Sequence, residues 1–104
     1  MKIEDFKTPF ARKLRTDNRW VILSQLVPWD RFATVYMSVM SSETGREAKS
    51  PRLVLGALII KHLENLDDRG TIDAIQENPY MQYFVGLEEF TTEQIFTPSL
   101  FRDP

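Results

Sequence analysis

The sequence contains no cysteine. Disulfides and thiolate metal sites are therefore excluded, and a cytoplasmic setting is the expected one. Its one histidine, His62, has no second His or Cys to join it, so zinc centres and His-activated nucleophiles lack their parts. A polar position on a helix flank explains it. No long apolar run exists: Leu53 to Ile60 is interrupted by Gly56 and ended by Lys61, far short of a membrane span. The N-terminus, with Lys2, Glu4 and Asp5, offers no apolar stretch for a signal peptide. Glycine is scarce at four residues, and no Gly-rich phosphate loop is present. Sustained apolar–polar alternation is missing, as are Asn-Gly and Asp-Gly pairs, so no strand or hairpin is expected. The adjacent carboxylates Asp67-Asp68 and Glu88-Glu89 sit in turn-like sequence, where capping and solvation account for them, and nothing gathers them around divalent ions. Ser99 follows Pro98 without a His partner and suits a helix cap. The residues thus predict no catalytic site, no metal, no membrane contact and no small-molecule substrate.

What the chain does contain is one domain's worth of ordinary globular composition: 104 residues, 42% hydrophobic and 27% charged. The net charge of −2 is unevenly placed. Residues 1–61 carry 11 Lys/Arg against 6 Asp/Glu, and residues 62–104 carry 2 against 9. A polyanion-facing first half is one reading of that split, and an uneven solvated surface is the other.

Helix signals follow one another along the chain. Residues 1–17 form a polar N-terminal arm whose anchors Ile3, Phe6, Phe10 and Leu14 are interrupted at Thr8-Pro9, so a loosely docked segment with a short helix over 9–15 is expected. Residues 18–104 read as a single helical domain. Asp17 or Asn18 can cap a helix running to Val27, and Pro28-Trp29-Asp30 restarts the chain into a helix reaching Met40. In the latter Phe32, Val35, Tyr36, Val39 and Met40 make an amphipathic stripe. Residues 41–50 are Ser, Glu, Thr, Gly, Arg and Lys with one Ala, an exposed loop. Ser50-Pro51 opens a helix to Leu66 that is apolar nearly all round, with Gly56 marking a close helix approach. Asp67 caps a helix to Glu77. Asn78-Pro79 opens a last short one that Gly86 stops, and Thr97-Pro98-Ser99 can open a final turn. The fold class is all-α: a compact bundle of about five to six helices around a central apolar helix at 51–66.

Three pieces of sequence carry a resemblance. They are Leu55-Gly56-Ala57-Leu58-Ile59-Ile60-Lys61-His62-Leu63 with Leu66-Asp67-Asp68, then Ile75 through Leu87 with its Glu77-Asn78-Pro79 junction, and Phe96-Thr97-Pro98-Ser99-Leu100-Phe101. In that order they resemble the N-terminal domain of InsH-like insertion-sequence transposases, over about residues 51–102. The resemblance implies a DDE-type transposase whose catalytic carboxylates, and the magnesium they hold, lie in a downstream domain. It implies a share in binding transposon ends or assembling the complex. The chain stops at Asp103-Pro104 where the family continues, which reads as a truncation or a gene remnant.

Two surfaces are candidates for that role. Arg12, Lys13, Arg15 and Arg19 cluster within eight residues, and Lys49 and Arg52 flank a helix start, with Lys61 further on. Such side chains hold DNA phosphates. The aromatic Tyr80–Val85 helix has no Lys or Arg and is too short to read a major groove. The second candidate is a self-association or catalytic-domain docking surface made of Tyr80, Tyr83, Phe90, Phe96 and Phe101. Their aromatic load is more than a short tail needs unless it is covered.

Overall fold

The structure, a computed structural model, describes residues 3–8, 14–40 and 50–96, without the side chains of Glu4 and residues 36–40. It is all-α. After a 3-10 turn, Ile3–Asp5, come α1 (Arg19–Leu26), α2 (Trp29–Met40), α3 (Pro51–Leu63), α4 (Asp68–Glu77) and α5 (Pro79–Phe84). Among the described residues the β-pairing is one isolated parallel bridge, Lys7 with Glu89.

Local chemistry sets most of the boundaries. Asn18, rather than Asp17, caps α1, its side chain accepting from the Trp20 N–H at 2.8 Å. Asp67 caps α4 by accepting from Gly70 N–H at 2.7 Å. A Cβ at Gly70 would lie 2.8 Å from that carboxylate oxygen, so the glycine leaves room for the cap. Asn78 caps α5 through Tyr80 N–H and Met81 N–H, with Pro79 at the first position. Ser50 departs from expectation: its side chain makes no capping bond, and Pro51 alone marks the start of α3.

The ends of α3 and α5 share one device. Leu66 N–H bonds Lys61 C=O and Asn65 N–H bonds His62 C=O, with Asn65 left-handed at φ 53°. Leu87 and Gly86 repeat the pattern onto Gln82 and Tyr83, with Gly86 at φ 94°. These are Schellman ends. Asn65 therefore stops α3 at Leu63, short of the expected Leu66, although Leu66 continues the apolar pattern.

α1 packs on α5, α2 on α3, and α4 on both α3 and α5. The main core gathers Trp20, Ala57, Ile60, Ile72, Ile75, Met81, Phe84, Val85 and Phe96. Its most completely buried run is 81–85, not α3. In α3 only Gly56, Ala57 and Ile60 are buried, and Leu58 and Leu63 are exposed. The close approach expected at Gly56 is present: a Cβ there would lie 2.9 Å from Val85 Cγ1 and 3.2 Å from Val85 Cα, so α3 seats directly against the end of α5. The stripe expected on α2 does not face the core where it is described, since Phe32 and Val35 are exposed. Trp29 turns in instead, its ring 5.2 Å from Phe84 and its Nε1–H bonded to Ser24 C=O.

The arm is firmly docked over residues 3–8. Ile3 and Phe6 are buried with Val21 and Tyr83 in a second, smaller cluster. Phe10 and most of the helix expected over 9–15 lie outside the described residues; Leu14 and Arg15 are not helical. The loop 41–49 and the turn at Thr97-Pro98-Ser99 lie outside them as well.

Candidate nucleic-acid and docking surfaces

Of the seven basic candidates, Arg12, Lys13 and Lys49 lie outside the described residues. Arg15 and Arg19 stand at the surface, each already holding a carboxylate. Arg15 bonds Asp17 at 3.0 and 2.8 Å. That hydrogen bond lowers the Asp17 pKa and raises that of Arg15. Arg19 bonds Glu64 at 2.9 Å and lies 4.8 Å over the Trp20 ring. Exposed pairs of this kind are weak and exchange readily for another anion. Lys61 pairs with Asp68, bridging α3 to the start of α4.

Arg52 is different in kind. Its guanidinium lies 4.7 Å over the Trp29 ring. Nε–H donates to Phe84 C=O at 3.0 Å and Nη2–H to Tyr83 C=O at 3.3 Å. Burial pushes its pKa below the ordinary arginine value. A planar cation over an aromatic face, bonded to carbonyls at a helix C-terminus, is a structural clamp. Arg52 was a candidate phosphate contact; its Nε–H and one Nη2–H are engaged at the end of α5.

The aromatic candidates separate in the same way. Tyr83 and Phe96 are buried and present no outer face, which corrects their placement on an interaction surface. Phe6 stands edge-on to Tyr83, centroids 5.8 Å apart at 87°, and Phe96 joins the main core. Tyr80 is half-buried, and its hydroxyl accepts the Arg15 backbone N–H at 2.9 Å. Phe90 is half-buried against the smaller cluster. Phe101 lies outside the described residues. Among the described residues, Tyr83 is covered from within the chain by the arm, and Phe96 by the main core.

The extended strap of residues 88–96 is held by two glutamines that composition does not single out. Gln82, fully buried, donates Nε2–H to Thr91 C=O and to Gln76 C=O, and accepts Thr91 N–H at 2.9 Å. Gln76 donates to Thr91 and Glu93 C=O and accepts Ile95 N–H. Side-chain amides stand in for a neighbouring strand. The spacing of six residues across the Asn78-Pro79 break hid the pair.

Among the described residues, exposed large apolar side chains lie on the first three helices: Ile22 and Leu26 on α1, Phe32 and Val35 on α2, Leu58 and Leu63 on α3. Leu26 is 72% exposed and Val35 60%. The sequence held a signal for this. α1 and α3 are apolar nearly all round, yet each can turn only one side to a core this small.

Among the described residues no group of three or more His, Asp or Glu side chains converges as a metal site. No helix among them is long and apolar enough to cross a membrane. The arrangement is that of an all-α domain with exposed apolar side chains on α1, α2 and α3 among the described residues. The chain belongs to the transposase domain family (DUF772), whose model matches residues 9–103. It is also similar to an uncharacterised protein, ORF8 of the nfe locus of Rhizobium meliloti, at 36% identity over 73 residues. That alignment takes in 70% of this chain and 35% of the relative's length. No solved structure matches it.

Proposed function

We propose that this chain is a non-catalytic assembly domain of a transposase, and that it self-associates through the outer faces of α1, α2 and α3. The observation supporting this reading is that the six exposed large apolar side chains among the described residues all lie on those helices. Single exposed apolar residues are ordinary, but six of them on three helices of a small domain favour a protein contact. Light scattering across a concentration series tests it. The chain is expected to form a dimer or larger species. Leu26→Lys with Val35→Lys should raise the dissociation constant by at least about tenfold, because a desolvated ammonium opposes burial. A chain that stays monomeric at the highest concentration overturns the reading.

Phosphate contact with transposon-end DNA is a second reading, favoured by the cluster Arg12, Lys13, Arg15 and Arg19. In it Arg12, Lys13 and Lys49 make the contacts. Arg15, Arg19 and Lys61 join only by leaving Asp17, Glu64 and Asp68, and Arg52 takes no part. Magnesium belongs in this reading to a catalytic domain elsewhere. A mobility-shift titration on terminal-repeat DNA should show affinity falling roughly 40-fold between about 50 and 200 mM salt for three contacts. Affinity indifferent to salt would remove this reading and leave assembly alone.

A further inference from the structure

The arm and the strap meet over α5. Tyr83 holds the arm: Phe6 stands edge-on to its ring, and Ile3 and Phe6 are buried with it and Val21 in an aromatic cleft. Its neighbour Gln82 holds the strap, accepting Thr91 N–H and donating to Thr91 C=O. Arm and strap also hold each other. Lys7 N–H donates to Glu88 C=O at 3.0 Å, and Lys7 C=O accepts Phe90 N–H at 2.8 Å.

These contacts close a ring. It runs from Tyr83 to Phe6, from Lys7 to Phe90 and from Thr91 to Gln82, and chain neighbours join each pair to the next. Consecutive amides of the strap serve opposite sides, Phe90 N–H the arm and Thr91 N–H α5, as in a strand paired along both edges. A half-open ring is the costly state. With the strap lifted, the fully buried Gln82 amide loses its Thr91 partners and the arm loses both backbone bonds. With the arm lifted alone, Tyr83 loses its cover and the strap loses the bridge. Full opening lets water serve the polar groups and frees both segments at once. The backbone of α5 takes no part: Gln82 N–H bonds Asn78 C=O and Val85 N–H bonds Met81 C=O, so the ring can open on an intact helix. The seam also carries a load against closing. Asp5 of the arm and Glu88 and Glu89 of the strap line one hollow around a single ammonium, Lys7.

We infer that residues 3–7 and 88–91 are the two halves of one latch, which opens and closes as a unit on an otherwise folded domain. Closed, it keeps Val21 and Tyr83 from water; open, it presents that aromatic face. The inference is independent of the proposed self-association and uses none of the exposed residues on α1–α3.

Native-state hydrogen exchange on the full chain, at low denaturant, tests it. Lys7, Phe90 and Thr91 N–H should share one opening equilibrium and one denaturant slope, opening at least about tenfold more often than Val85. Two variants then probe opposite sides of the ring. Phe6→Ala should speed exchange at Thr91 by at least about tenfold, although its bonds are to Gln82. Gln82→Leu should do the same at Lys7, whose bonds are to Glu88 and Phe90. Combined, they should exceed the larger single effect by less than about threefold, because an opened ring has no second link to lose. Different slopes for Lys7 and Thr91 in the unsubstituted chain overturn the inference. So does exchange of all three together with Val85, which would tie the segments to global unfolding. A variant whose effect stops at its own side of the ring, or effects that multiply when combined, overturns it as well. Should a substitution unfold the domain, Val85 would accelerate with the rest, and the slopes of the unsubstituted chain decide.

Discussion

Truncation of Phe84 to alanine is expected to cost about 3–5 kcal/mol. The ring has no solvent exposure. It lies 5.3 Å from Trp20 and 5.2 Å from Trp29, centroid to centroid, so it joins α1, α2 and α5. Alanine leaves a void that both indoles border, and neither can collapse into it freely. Trp29 is fixed by its bond to Ser24 and by Arg52 above it, and Trp20 is bound into the start of α1. A domain of this size has roughly 5–15 kcal/mol of net stability. At about 4–8 °C per kcal/mol, the midpoint of thermal unfolding should fall by roughly 12–40 °C. Calorimetry or a circular-dichroism melt checks it. A cost under about 1 kcal/mol would mean the ring is not the joint between these helices.

Gln82→Leu is expected to release the strap while leaving α5 helical. Leucine is close in size, so packing is nearly conserved. The amide's donor bonds to Thr91 C=O and Gln76 C=O and its acceptance of Thr91 N–H are all lost. Each buried polar group left without a partner costs about 1–3 kcal/mol, more than the added apolar burial returns. Gln76 still reaches Thr91 C=O at 3.3 Å, so the Thr91 N–H carries the main penalty. The total should be about 2–4 kcal/mol. Amide hydrogen exchange at Thr91 and Ile95 should accelerate far more than at Val85, whose N–H bonds Met81 within α5. Unchanged protection at Thr91 would show that the strap is held without Gln82, by Gln76, Lys7 and Phe96.

Helix starts and stops were legible in the sequence because they are settled by atoms a few residues apart. Asn18, Asp67 and Asn78 cap where their positions say they can. Gly86 takes the left-handed turn that a glycine there invites. The all-α class followed from those signals and from the absence of alternation. Asn65 was overlooked for a reason of the same kind: asparagine is only the second choice for a left-handed cap, and Leu66 beyond it kept the apolar rhythm going. The resemblance to transposase N-terminal domains is matched by the family, across nearly the whole chain.

The candidate surfaces were far less legible. Tyr83, Phe96 and Arg52 looked available because nothing within several residues of any of them claims it. What claims them comes from 31 residues away in Arg52 and Tyr83, and from the opposite end of the chain in Phe6 and Tyr83. Sequence alone therefore determined the helices and most of their ends, since capping and periodicity act over one or two turns. Tertiary structure alone decided which side of α1 and α3 is buried, that the arm covers the aromatic cleft, and that Arg52 serves the fold. Those outcomes depend on which distant surfaces meet, and an apolar helix is equally content to bury either of its faces until a partner arrives.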